Sequence, residues 1–342
     1  MTAVGTMVSM YELNPELSGT QPRVLVTGAT GFLGGHVARL LRESGYDVIA
    51  MGRNTAKLRT LQLLGCTPLQ ASLDELTGQG PSVDMVVHAA ALSSAWGKWP
   101  DFEAANVRGT EQVLDYCRQS QVKRMVHISS PSIYTRPEDQ LNIPETQSPA
   151  EPLNNYIASK IMAEALIAAD TSPVEKVVLR PRGLIGRGDP SLMPRLLAAN
   201  NRFGIPLFRD GQNLVDVTCV ENVAQSVQLA LERPEANGQT YNITNGDPRT
   251  FRSLLDDFFT HMQIKPKYKD TKFLSAYLAA RALEKTYTMF GGDTEPPATK
   301  YTICTLAFSQ TLDISKAVQE LNYAPRVSIE EGIASYAVTD KW

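Results

Sequence analysis

The sequence predicts an α/β fold: a doubly wound parallel sheet followed by a smaller, mainly helical C-terminal region. Three observations lead there. Short β-branched runs alternate with helical patterns of roughly 10–15 residues, the signature of repeated βαβ units. A glycine-rich turn joins the first of these runs to the first helix. After Arg180 the alternation loosens around Pro181, Pro190, Pro194 and Pro206, and beyond Gly246 the periodicity is mainly helical. Right-handed crossovers between parallel strands place helices on both faces of such a sheet.

The elements follow in order. Arg23–Thr27 is an apolar run bounded by Gly28 and reads as a buried strand. A helix is expected over 31–44, stopped by Gly45. A second strand is expected over 46–51 and a helix over 55–64. Residues 84–88 and 123–128 are further strands, with one helix over 102–120 between them, carried by Val107, Val113, Leu114 and Cys117. Helix Asn155–Ala169 and a strand over 174–179 complete the alternation. Two more strands, 214–220 and Thr240–Ile243, flank a helix over 222–232. The expected organisation is a flexible tail over 1–21, a dinucleotide-binding domain over 22–182 and 214–244, and a substrate-binding region over 183–213 and 245–342.

Composition narrows the function classes. Lys and Arg total 33 against 36 Asp and Glu, a net charge of −3, which argues against a nucleic-acid or polybasic membrane partner. With 43% hydrophobic and 20% charged residues the chain is ordinary globular protein. No apolar run approaches the ~18 residues needed to span a bilayer. Cys66, Cys117, Cys219 and Cys304 are scattered without a CxxC pair, which suits a reducing cytoplasm. His36, His88, His127 and His261 lack metal-ligand spacing, so no metal is expected.

The turn after the first strand reads Thr27-Gly28-Ala29-Thr30-Gly31-Phe32-Leu33-Gly34. Gly28 permits the tight turn, Gly31 lets the backbone approach a pyrophosphate at the positive helix N-terminus, and Gly34 allows close helix–strand packing. After the second strand, Gly52-Arg53-Asn54 brings no carboxylate for the 2′-hydroxyl of NAD. Arg53 instead offers a fork of donors suited to a 2′-phosphate, so NADP is expected over NAD.

Tyr156 and Lys160, at i and i+4, share one helix face and can reach one site. A tyrosine of pKa about 10 becomes a better acid/base when an ammonium stands near it.

The GxxGxxG spacing with this Tyr-xxx-Lys pair resembles the extended branch of the short-chain dehydrogenase/reductase superfamily, whose fold is the Rossmann fold. The resemblance covers residues 23–341. It implies Ser130 as the catalytic serine, because it stands four residues before Tyr134 in Ser129-Ser130-Pro131-Ser132-Ile133-Tyr134. With Tyr156 and Lys160 this fills the catalytic set, and Asn106, in Asn106-Val107-Arg108-Gly109-Thr110, supports it. For the cofactor the resemblance implies Gly28, Thr30, Gly31, Phe32, Leu33, Gly34, Arg53, the Ser72-Leu73 pair in place of an Asp-Leu pair, and Ala89, Ala90 and Ala91 after His88. It adds Ser129, Tyr156, Lys160 and Pro181, and implies a homodimer through the helices at 102–120 and Asn155–Ala169.

Within the family, dehydratases carry an Asp-Glu pair where this chain has Pro131-Ser132, and many sugar-nucleotide epimerases carry an asparagine where it has Gly183. The runs at 180–186, 188–194 and 213–224 resemble the 3β-hydroxysteroid dehydrogenase/isomerase-like branch, as does the Glu295-Pro296-Pro297 segment. The expected activity is therefore oxidoreduction of a ketone or secondary alcohol on an apolar, 3-oxoalkanoate- or steroid-like substrate. Two alternatives stand beside it: a nucleotide-sugar epimerase and a catalytically silent, cofactor-sensing protein. An apolar stripe of Phe273, Tyr277, Ala280, Leu283, Tyr287 and Phe290, with the 183–208 insertion, is expected to roof the substrate, with Gly291-Gly292 ending the helix.

Overall fold

The computed structural model describes residues 21–290 and 294–337. The tail expected over 1–21 lies outside them except for Gln21, as do Gly291 and Gly292.

Strands β1 (Arg23–Thr27), β2 (Asp47–Gly52), β3 (Thr67–Gln70), β4 (Met85–His88) and β5 (Arg124–Ile128) join strands Glu175–Pro181 and Thr240–Ile243 in one sheet. From one edge the order is Thr240–Ile243, Glu175–Pro181, β5, β4, β1, β2, β3, and every pairing is parallel. The order reverses at β1, which has β2 on one side and β4 on the other, and this switch point opens a crevice at the carboxyl ends of the strands.

β1 shows why the sheet sequence reads as continuous apolar runs. Val24 and Val26 pack with Val37, Ala38 and Leu41 of helix α1 (Phe32–Glu43), whereas Leu25 packs the other way with Val86, Val113 and Cys117. Both faces are covered, so no polar alternation survives. β3, an edge strand, follows helix α2 (Thr55–Leu63) and is mostly exposed; it lacks the apolar run by which a strand is read.

Two elements differ from their sequence reading. The helix expected over 102–120 is broken into α3 (Trp99–Phe102), a π-helical turn Glu103–Arg108, and α4 (Gly109–Gln119). The wide turn aims Asn106 inward, where it is buried. The strand expected over 214–220 becomes two short pieces outside the main sheet. Leu214–Val215 pairs with Arg249–Thr250 and Gln310–Leu312, and Thr218–Cys219 pairs with Leu184–Ile185. Between them Asp216 accepts the Leu312 N–H at 2.7 Å, so a side chain takes the place of a ladder bond.

The C-terminal region is mainly helical, as expected, and packs Phe251, Phe258, Phe259 and Ile333 around Met193 and Ile205. Helix Phe273–Phe290 lays Phe273, Tyr277 and Ala280 against Phe208 and against Ile303 and Ala307 of helix Lys300–Ala307. The stripe does not stay covered to its end: Phe290 is 82% exposed. Among the described residues no helix is long and apolar enough to cross a membrane.

Candidate active site

The turn after β1 is built from backbone. Gly28 has φ 71°, and a Cβ there would lie 2.7 Å from Ala90 Cα, so the segment after β4 presses directly on the turn. A Cβ on Gly34 would lie 2.2 Å from Gly28 O. Gly31 is the N-cap of α1 and brings no side-chain cap, which leaves the first N–H groups of the helix facing the crevice. These features fit the pyrophosphate of a dinucleotide. Phe32, His36, Lys57, Arg187 and Gly188 line the cavity beside the turn. His36 Nε2 donates to Arg187 O at 3.0 Å and so ties the 183–213 insertion across α1. Sequence spacing gives no sign of His36 or Arg187, because their contact spans 151 positions.

Thr30 packs on Gly52 at the end of β2, where a Cβ would lie 2.5 Å from its Oγ1. Asn54 caps α2 by accepting the Lys57 N–H at 3.1 Å. Arg53 between them is exposed. Ser72 donates to Glu75 Oε2 at 2.6 Å in a capping box, and Leu73 packs against Gly109.

The catalytic candidates meet at the carboxyl end of β5. Helix α5 (Asn155–Ala169) carries Tyr156 and Lys160, capped by Asn154, which accepts the Ile157 N–H at 2.9 Å. Ser130 donates to Ser132 Oγ at 2.9 Å, and Ser132 Oγ bonds Tyr301 OH at 2.9 Å. Burial pushes the Tyr156 phenol up to about 12; a hydrogen bond with Ser130 opposes that shift, and the neighbouring Tyr301 adds to it.

Lys160 lies on the same helix as Tyr156, and its Nζ donates to Ile128 O at 2.7 Å and to His127 Nε2 at 3.1 Å. The β5 carbonyl holds the ammonium back toward the sheet. Desolvation lowers Lys160 to about 8, against a raising pull from Glu164. His127, buried with its ring tilted and centred 5.2 Å from that of His88, is held well below its ordinary value by desolvation and then by Lys160.

Asn106 does not touch Tyr156. It donates to Leu92 O at 3.0 Å and Ser159 Oγ at 2.8 Å, and Ser159 Oγ donates to Tyr156 O at 2.7 Å. It therefore braces the segment after β4 against α5. Ser129 donates to Glu164, whose carboxylate pairs with Arg180 at 2.5 Å, locking α5 onto strand Glu175–Pro181. Glu164 was legible in principle, since it continues the i, i+4 row of Tyr156 and Lys160. Ser132, Tyr301 and His127 carried no such signal. Among the described residues no cluster could hold a metal ion, and the four cysteines are free and buried.

The family model described as "NAD dependent epimerase/dehydratase family" matches residues 24–244. The 2-alkyl-3-oxoalkanoate reductase of Stenotrophomonas maltophilia is 32% identical over 322 residues, 91% of this chain and 97% of that protein. Among solved structures, MoeE5 in complex with UDP-glucuronic acid and NAD matches with a TM-score of 0.71 at 25% identity, covering 92% of this chain and 97% of its own. UDP-glucuronic acid 4-epimerase from Bacillus cereus in complex with NAD has a TM-score of 0.71 at 23% identity, covering 92% and 97%, a likeness of fold alone. The expectation of NADP is thereby overturned: MoeE5 holds NAD. The physical reason lies at Arg53, which stays exposed while its neighbours Gly52 and Asn54 hold the turn. An arginine after β2 is not by itself a 2′-phosphate site.

Proposed function

Because the chain belongs to the NAD-dependent epimerase/dehydratase family, we propose that it moves a hydride between NAD and a secondary alcohol or ketone carbon, with Tyr156 as the acid/base. It is an NAD(P)-binding enzyme of oxidoreductase or epimerase type acting on a small organic substrate. The observation that carries the proposal is the meeting of Ser130, Tyr156 and Lys160 at the carboxyl end of β5, beside the switch-point crevice.

NAD, when bound, accepts or supplies the hydride. The backbone N–H groups at the start of α1, with Gly28, Gly31 and Gly34, would hold its pyrophosphate. Ser130 would hydrogen-bond the reacting oxygen, and Tyr156 would give it the proton in the reductive direction or take it in reverse. Lys160 would steady the nearby ribose. Residues 22–182 and 214–244 would form the cofactor half, and 183–213 and 245–342 the substrate half, from which Tyr301 already reaches Ser132.

The net reaction has two readings. Net oxidoreduction of an apolar 3-oxoalkanoate- or steroid-like compound, as in the 3β-hydroxysteroid dehydrogenase-like branch, is supported by the reductase relative over 91% of the chain. It is also supported by Gly183, which with φ 52° adds no side chain where family epimerases carry asparagine. The solved neighbours favour nucleotide-sugar epimerisation more strongly, and it is kept as the second reading. Incubation with NADH and a panel of ketones and UDP-sugars separates them. Net NADH oxidation by an apolar ketone supports the first; isomerised sugar nucleotide without net oxidation replaces it with the second.

A further inference from the structure

Among the described residues, two of the three buried arginines are paired. Arg180 bonds Glu164 and Glu145 O, and Arg124 bonds Glu175 and three main-chain carbonyls. Arg182 is 7% exposed, yet its guanidinium makes no hydrogen bond or ion pair among the described residues. A buried charge without a close partner is costly, and an anion arriving from outside would relieve that cost.

Its position says which partner. Ile128 stands opposite Leu179, so continuing the register sets Ser130 opposite Pro181 and Arg182 one step further out. The backbone there is fixed: Arg182 N–H donates to Ile243 O at 3.1 Å, and its carbonyl accepts from Thr218 Oγ1 at 2.5 Å. Arg182 interacts electrostatically with Tyr301 and with the Asp216 carboxylate, and Tyr301 is hydrogen-bonded into the Ser132–Ser130 chain beside Tyr156. Asp216 is already engaged by the Leu312 N–H at 2.7 Å. A guanidinium is a planar fork matched to a carboxylate.

We propose that Arg182 is the residue that receives the carboxylate of the 3-oxoalkanoate-like substrate. This rests on the ketone/alcohol reading of the same site, and the diphosphate of a nucleotide sugar is the competing anion.

The test is isothermal titration calorimetry of the full chain saturated with NAD, using decanoate, methyl decanoate and UDP as probes. Decanoate should bind at least about 10-fold more tightly than its ester. Arg182→Met should weaken decanoate by roughly 10–100-fold, with NAD affinity and thermal midpoint measured alongside, and Arg182→Lys should recover part of the loss. Equal binding of acid and ester by the natural chain overturns the proposal, and needs no variant to fold. UDP binding that depends on Arg182, with decanoate indifferent to it, overturns it in favour of a diphosphate. A separate NADH assay with 3-oxodecanoate and its methyl ester tests the underlying reading. If neither is reduced while decanoate binding still depends on Arg182, the reductase reading falls and the carboxylate site stands.

Discussion

The two sides of the crevice are made of different material. On the β1 side the site is backbone: three glycines, an uncapped helix start and the segment after β4 pressed within 2.7 Å of where a side chain would begin. On the β5 side it is a web of side chains: Ser129, Glu164 and Arg180; Lys160 and His127; Ser130, Ser132 and Tyr301. The difference teaches that one side tolerates no added atoms while the other tolerates no missing ones.

The largest effect should come from the side-chain half. Tyr156→Phe should lower the maximal rate by roughly 10²–10⁴-fold while NAD still binds. Near-normal turnover with a competent substrate would remove Tyr156 from the chemistry and break the contrast at its centre.

Next is Glu164→Ala, which strands the Arg180 guanidinium in a buried position, where its side chain is 8% exposed. A loss of about 3–5 kcal/mol is expected in urea unfolding. The exposed Arg23–Asp47 pair serves as the control, and Asp47→Ala should cost no more than about 1 kcal/mol. Equal costs for the two would mean the web adds nothing beyond surface ion pairing.

Gly34→Ala tests the backbone half. Its Cβ would fall 2.2 Å from Gly28 O, so the turn must shift. We expect about 1–3 kcal/mol lower stability, as for other overpacked sites, together with weaker NAD binding by calorimetry. Unchanged NAD affinity would show that the turn can yield without harm to the cofactor site.

The smallest effect is a pH dependence. Burial lowers Lys160 from 10.5 to about 8 in the folded chain. Between those values the unfolded chain holds the proton and the folded chain has released it, so this group makes stability rise with pH across that window. The rise should appear in the difference between the natural chain and Lys160→Met in urea melts at pH 7.5 and pH 10. A difference that stays flat, or falls, would mean that Lys160 is better solvated than its contacts with Ile128 O and His127 imply.

What the sequence determined by itself is local and periodic. The parallel alternation, the glycine turn and the one-face spacing of Tyr156 and Lys160 depend on neighbours within a few positions, and such patterns survive in a linear string. Helix Asn155–Ala169 and strand Thr240–Ile243 lie where the sequence places them. Only the tertiary structure decided that Arg53 stays exposed, that a π-helical turn aims Asn106 inward, and that residues 214–215 leave the main sheet. Tyr301 reaches Ser132 across 169 positions, and the buried Arg182 guanidinium makes no hydrogen bond or ion pair among the described residues. Each of these depends on which side chains the packed fold brings together and which it shields from water. No spacing along the chain encodes that, because burial and partnership belong to the assembled layers rather than to any one element.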